Sequence, residues 1–225
     1  MRTMCKTVGE QTWFMIADLD PAYHAAARDL AYSPAEEGFA KSYPAGTPHL
    51  DTIYEHFARY AEPMILQAAR AMPVPWEQAL EALLERVAGE PLDWWIGGSA
   101  ALALRGAPVA PRDFDLIVDA ASAQRLGGLL FDYLIEPVVP VEGWFCSWWG
   151  RAFLHARIEW VGEVGERADQ PEMSDFGPAA ARRLETIAWR GHAIRVPPLD
   201  LQLRVSRRRG LAERVAHIER LLARC

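Results

Sequence analysis

The sequence predicts an α/β (α+β) chain in which short apolar strands alternate with amphipathic helices. Three observations carry that class. PVPWEQALEALLERVAGEP places Trp76, Leu80, Leu83, Leu84 and Val87 at the i, i+3, i+4 rhythm of a helix with one buried face. LDWWIGG and RDFDLIVD are short apolar runs beside glycine or charged turns, the pattern of buried strands. From Arg151 onward the chain alternates: Ala152, Leu154, Ala156, Ile158 and Trp160 fall on one side, and Phe153, His155, Arg157 and Glu159 on the other. That stretch reads as one strand with a mixed second face.

In chain order, residues 1–72 read as a mostly helical N-terminal extension and residues 73–225 as the main domain, with closing helices over about 197–225. DPAYHAAARDLAY opens on an Asp-Pro pair suited to a helix N-terminus. SYPAGTPH is a turn-rich break. LDTIYEHFARY sets Ile53, Phe57 and Tyr60 at helical spacing, and Pro63 is expected to end or kink that helix. SAALALRG is a short helix capped by Ser99, and SAQRLGGLLFDYLI a second one opened by Ser122. Residues 162–179, turn-rich and acidic, read as a surface loop. ETIAWRGHAIRV reads as a hairpin turning at Arg190-Gly191. LDLQLRVSRR and LAERVAHIERLL are the closing helices, the second striped by Val215, Ile218, Leu221 and Leu222.

Composition bounds the function. At 225 residues and 51% hydrophobic, the chain affords a sizeable core, which excludes general disorder. No apolar run approaches the roughly 18–20 residues that span a bilayer. The N-terminus has no long apolar segment before its acidic residues, so no signal peptide and a cytoplasmic location are expected. Cys5, Cys146 and Cys225 lie far apart, and the six histidines form no HxxxH or HExxH pair, which argues against a transition-metal site. The net charge of −6 hides an asymmetry: residues 182–225 hold eleven Arg against four acidic residues, a balance of +7, leaving −13 elsewhere. A basic end on an acidic protein suits a phosphate-bearing ligand, and it equally suits arginines on solvated helix faces.

The stretch WWIGGSAALALRGAPVAPRDFDLIVDA carries the chemistry. A strand that turns through Gly97, Gly98 and Ser99 into a helix presents free N–H groups and a hydroxyl, an arrangement that binds phosphate. Asp113 and Asp115, at i and i+2 on a strand, project from one face. Carboxylates that close repel, and a divalent cation such as Mg²⁺ relieves the repulsion while taking oxygen ligands and substrate phosphates. Arg112 or Arg105 neutralising one aspartate is the plainer alternative. Glu159 stands in an otherwise apolar strand, and if that strand neighbours the aspartates three carboxylates converge. Its alternatives are an ion pair or a solvent-facing edge.

GGSAALALRG followed by RDFDLIV resembles the signature of the nucleotidyltransferase superfamily that includes DNA polymerase beta and the small antibiotic nucleotidyltransferases. Gly98-Ser99, Asp113 and Asp115 match position by position, and Glu159 is the match for the third acid, over roughly residues 76–162. The resemblance implies a small mixed sheet flanked by helices, bound NTP, two Mg²⁺ ions on Asp113, Asp115 and Glu159, and transfer of a nucleoside monophosphate to a hydroxyl. Gly97, Gly98, Ser99, Arg112, Arg207 and Arg209 are then the candidates for nucleotide binding. Small members of the superfamily often end in a helix with a lysine near an aspartate. Here SRRRGLAERVAHIERLL offers Arg207, Arg208, Arg209 and Arg214 instead. The acceptor is open among a small molecule, a tRNA and a protein. A catalytically idle nucleotide-binding or regulatory module is the alternative function.

Overall fold

Residues 2–17 build a hairpin where a mostly helical extension was expected. In the computed structural model, which describes residues 1–223, β1 (Arg2–Val8) and β2 (Gln11–Ala17) pair antiparallel around Gly9-Glu10, with Val8 opposite Gln11. Gly9 adopts φ 59°, which a two-residue hairpin turn demands and glycine supplies without strain. The chain continues through a 3₁₀ turn capped by Asp20, α1 (His24–Asp29), β3 (Ser33–Ala35) and β4 (Gly38–Pro44). The four strands form an antiparallel sheet in the order β1-β2-β4-β3. Phe14 and Ile16 are buried while Trp13 and Met15 are half-buried, the period-2 pattern that identifies the strand. Arg224 and Cys225, the last of the three cysteines, lie outside the described residues.

The helix α2 (Leu50–Ala68) runs through Pro63 instead of ending there. Proline at that position removes one hydrogen bond to the carbonyl of Arg59, an exposed residue. The buried face of Leu50, Ile53, Phe57, Ala61, Met64 and Ile65 continues across the break and holds the helix by packing. Phe57 stacks on Phe14 and Tyr32, and α2 also touches the main sheet, so both sheets share one core.

The second unit begins with α3 (Trp76–Val87), β5 (Trp94–Ile96), α4 (Gly98–Leu104), β6 (Asp113–Val118) and α5 (Ala120–Leu129). The α5 cap is Asp119, which accepts from Ser122 N at 2.6 Å, and Ser122 uses its own hydroxyl to accept from Asp93 N at 2.8 Å. β7 (Leu134–Pro140) follows, then β8 (Trp148–Leu154) and β9 (Ala156–Gly162). The single strand expected from Arg151 is therefore a hairpin that reverses at His155, with φ 61° and Leu154 opposite Ala156. Alternation survived the turn because residues equidistant from His155 pair and share a face, so the pattern concealed the reversal. Gly150 faces Trp160, where any Cβ would lie 2.3 Å from the indole.

The main sheet has the order β5-β6-β9-β8-β7, mixed in direction: β6 and β9 run parallel and every other pair antiparallel. α6 (Pro178–Ala181), the expected hairpin β10 (Glu185–Trp189) and β11 (His192–Val196), and the helices α7 (Leu199–Arg208) and α8 (Ala212–Leu222) complete the chain. Leu102, Ala107, Leu199, Ile218 and Leu221 form a small second core that docks α7 and α8 beside α4. No helix of the described residues is long and apolar enough to cross a membrane.

Between the two sheets lies a buried charge. Glu136 on β7 is fully buried and accepts from Lys41 of β4 at 2.5 Å, from Trp149 Nε1 at 3.3 Å, from Tyr32 Oη at 3.4 Å and from Arg151. Burial opposes ionisation of Glu136, but Arg151 and Lys41 outweigh it and hold its carboxyl below the usual range. Glu136→Ala leaves Lys41 without an ion-pair partner and the buried Arg151 with Glu159 alone, and is expected to cost about 3–5 kcal/mol. Lys41→Met, at a side chain 22% exposed, keeps the Glu136–Arg151 pair and is expected to cost less. Urea unfolding ranks the two; equal costs would remove Glu136 from the centre of the network.

Candidate active site

The parallel register of β6 and β9 sets Asp113 opposite Arg157 and Asp115 opposite Glu159. Residues two apart on either strand share a face, so three carboxylates and one guanidinium meet above the sheet. Ligand oxygens of Asp113, Asp115 and Glu159 lie within 4.8 Å of one another. Phe114 and Leu116 point the other way into the core and fix the strand. The expected neighbouring of Glu159 and the aspartate strand is thus found.

The turn before α4 closes the site from the side. Gly97 N donates to Asp115 O at 2.8 Å, and Gly98 O accepts from Gln202 Nε2 of α7 at 3.1 Å. Gly98 has φ 60°, and a Cβ there would lie 2.3 Å from Asp115 Oδ2. Glycine is required on both counts, backbone conformation and approach. The α4 cap is Gly97, not Ser99; Ser99 sits one residue inside the helix and lines the cleft.

The carboxylates are not bare. Arg157 bonds Asp113 Oδ2, and its Nε lies 3.1 Å from Glu159 Oε1. Arg151 Nε donates to the same Glu159 oxygen at 2.6 Å. Neither Arg112 nor Arg105 neutralises an aspartate; Arg105 pairs with Glu185 at 2.7 Å. Desolvation in the crowded cleft floor, then Asp113 and Glu159, push the Asp115 carboxyl up to about 7, against the pull of Arg157.

Two lobes open on either side of Asp115. The larger, about 1080 Å³, is lined by Gly98, Ser99, Arg70, Arg112, Arg209 and Arg214 among others. The smaller, about 270 Å³, carries the aromatic wall of Trp144, Phe145, Trp149 and Phe176 beside Glu159 and Asp175. Gly98, Asp115, Arg209 and Arg214 border both. Partial burial, then the nearby Arg209, pull the Arg214 guanidinium below its ordinary pKa, against the opposing pull of Asp175, Asp115 and Asp113. Arg207 is not among the lining residues; it pairs with Glu219 at 2.7 Å on the outer side of α7, and Arg208 and Arg214 border the cleft where Arg207 was expected.

The segment 162–179 is not a plain surface loop. Asp169 accepts from Ser174 N, Ser174 Oγ and Ala179 N at 2.7–3.1 Å, which buries Ser174 and places Asp175 and Phe176 in the wall of the smaller lobe. Loops lack periodicity, so Asp175 carried no sequence signal. Arg157 did: its i−2 spacing from Glu159 puts both on one strand face.

The chain matches no protein-family model and no curated protein. Among solved structures, a candidate nucleotidyltransferase from Thermotoga maritima superimposes with a TM-score of 0.50 at 20% identity, over 68% of this chain and 97% of that one. The antibiotic-resistance factor ANT(2'')-Ia gives a TM-score of 0.41 at 14% identity, over 67% and 83%. Its complex with adenylyl-2''-tobramycin gives 0.36 at 14%, over 64% and 91%. The first of these shows a nucleotidyltransferase-like fold, a mixed sheet flanked by helices, as the sequence resemblance implied.

The raised Asp115 has a stability consequence. Its folded value near 7 exceeds the ordinary 3.8, so the native state keeps a proton that the unfolded chain releases. That contribution is full below about pH 4 and is lost as pH rises through 7. Asp115→Asn is expected to raise the melting temperature at pH 8 in chelator and to narrow the gap between pH 5 and pH 8, by an amount that solvent screening of this exposed residue keeps small. An unchanged gap in differential scanning fluorimetry would show Asp115 titrating normally.

Proposed function

We propose that the chain is a metal-dependent nucleotidyltransferase that moves a nucleoside monophosphate from an NTP to a hydroxyl of an acceptor. The observation that carries this reading is the convergence of Asp113, Asp115 and Glu159 on adjacent parallel strands, within 4.8 Å, at the border of two lobes. The donor set is all carboxylate oxygen, which fits a hard divalent ion such as Mg²⁺. Such an ion, when bound, supplies charge to polarise a phosphoryl oxygen and to lower the pKa of the attacking hydroxyl.

The remaining work falls to the protein. Asp113 and Asp115 are the ligands, and Glu159 completes the set and stands ready to accept the acceptor's proton. Gly98 and Ser99 border the larger lobe, where Arg209, Arg214 and Arg112 offer charge to the β- and γ-phosphates. Arg209 and Arg214, unpaired by any ion-pair partner among the described residues, are suited to the pyrophosphate that leaves. The acceptor class stays open among a hydroxylated small molecule, a tRNA and a protein.

The pairing of Arg157 with Asp113 and Glu159 favours a second reading, a nucleotide-binding module that performs no transfer. Calorimetric titration with the four NTPs and Mg²⁺, followed by pyrophosphate release with pooled small-molecule, tRNA and protein acceptors, separates the two. Metal-dependent binding with release supports the enzyme; binding without release under every acceptor pool supports the module. Asp113→Asn/Asp115→Asn is expected to abolish metal-dependent binding and to cut release by about 10³-fold or more, since metal charge is worth several kcal/mol in such transition states. Release that survives the double variant would overturn the assignment of these residues.

A further inference from the structure

Two of the three carboxylates already hold a cation, and that cation belongs to the protein. Arg157 bonds Asp113 and lies 3.1 Å from Glu159 Oε1, while Arg151 Nε donates to that same oxygen at 2.6 Å. Asp115 has no ion pair among the described residues. Arg151 is locked from behind: its side chain is 3% exposed, bonded to Glu136 and donating to Leu30 O at 2.8 Å. Glu136 is bonded in turn to Lys41 of the N-terminal sheet. An alternating chain, Lys41–Glu136–Arg151–Glu159–Arg157–Asp113, therefore runs from one sheet into the site, and only Asp115 stands outside it.

The charge count follows. In that chain together with Asp115, four carboxylates face three cations, a net of −1. The protein's own cations thus leave Asp115 as the one acid of this cluster without an ion pair among the described residues. The nearby Asp175 borders the smaller lobe with Arg208, Arg209 and Arg214 and is not one of the three acids whose oxygens converge. Two-metal sites place their ions about 3.5–4 Å apart and share carboxylates between them. Here an oxygen of Asp113 and an oxygen of Glu159, the acids flanking Asp115, are committed to guanidinium groups that are largely buried and cannot deprotonate.

We propose that the site takes one divalent cation, not two, and that Arg157 stands as the fixed positive charge in place of the second. This rests on the nucleotidyltransferase reading and replaces the two-ion expectation of the resemblance. A fixed guanidinium costs no assembly at each turnover, and through its pairs with Asp113 and Glu159 it offsets charge that a second ion would otherwise take up.

The test counts metal and does not need an acceptor. Mn²⁺ is dialysed to equilibrium against the full chain with a saturating α,β-methylene NTP analogue, and protein-bound Mn²⁺ is quantified by electron paramagnetic resonance. The expected result is one Mn²⁺ per chain for the wild type and two for Arg157→Gln. Two per chain in the wild type, or one in a folded Arg157→Gln, would overturn the proposal while leaving the metal site intact. No bound Mn²⁺ in the wild type would overturn the metal-dependent reading itself. Should Arg157→Gln fail to fold, the wild-type count alone decides.

Discussion

Three carboxylates held within 4.8 Å of one another repel, and the parallel pairing of β6 with β9 is what holds them there. The pairing is anchored from below by Phe114, Leu116, Ile158 and Trp160, all buried, so the apolar face of the sheet supplies the energy that the polar face spends. Arg157 and Arg151 reduce the repulsion from within the same face. What remains uncompensated sits on Asp115, whose carboxyl rises to about 7. A negative charge left partly unsatisfied by the fold is the condition under which a cation gains most on binding.

The N-terminal sheet is tied to this arrangement by more than contact. Lys41 supplies charge to Glu136, Glu136 fixes Arg151, and Arg151 orients Glu159. Each link is buried or half-buried, where the low local dielectric strengthens both the bonds and the cost of losing a member. Aromatic packing of Phe57 on Phe14 and Tyr32 brings the two sheets close enough for the chain to form. The extension thereby becomes part of the structure that shapes the site.

The two lobes differ in chemistry because different elements wall them. The larger borders the α4 turn and the start of α8, and receives arginines from α8, from the loop before β6 and from the end of α2. The smaller borders the loops at 141–147 and 170–177, which contribute aromatic rings and Asp175. Gly98 serves both, and its lack of a side chain is what lets the turn approach Asp115.

The sequence by itself determined the local pieces of the site: Asp113 and Asp115 on one face of a strand, the glycine turn before α4, the helices α3, α7 and α8, and the Arg190-Gly191 hairpin. Each is governed by periodicity or by a residue with special backbone freedom, and both act over a few residues. Only the tertiary structure decided that Glu159 faces Asp115, because register between strands 44 residues apart leaves no local trace. It decided that His155 reverses the chain, since a hairpin about one residue preserves alternation. It also decided that residues 2–17 and 33–44 form a sheet, where Gly9 and Gly38 were the unread turn signals, and that Arg207 turns outward while Arg214 turns in. Long-range pairing and helix docking settle such choices, and their energy comes from burial that no single segment contains.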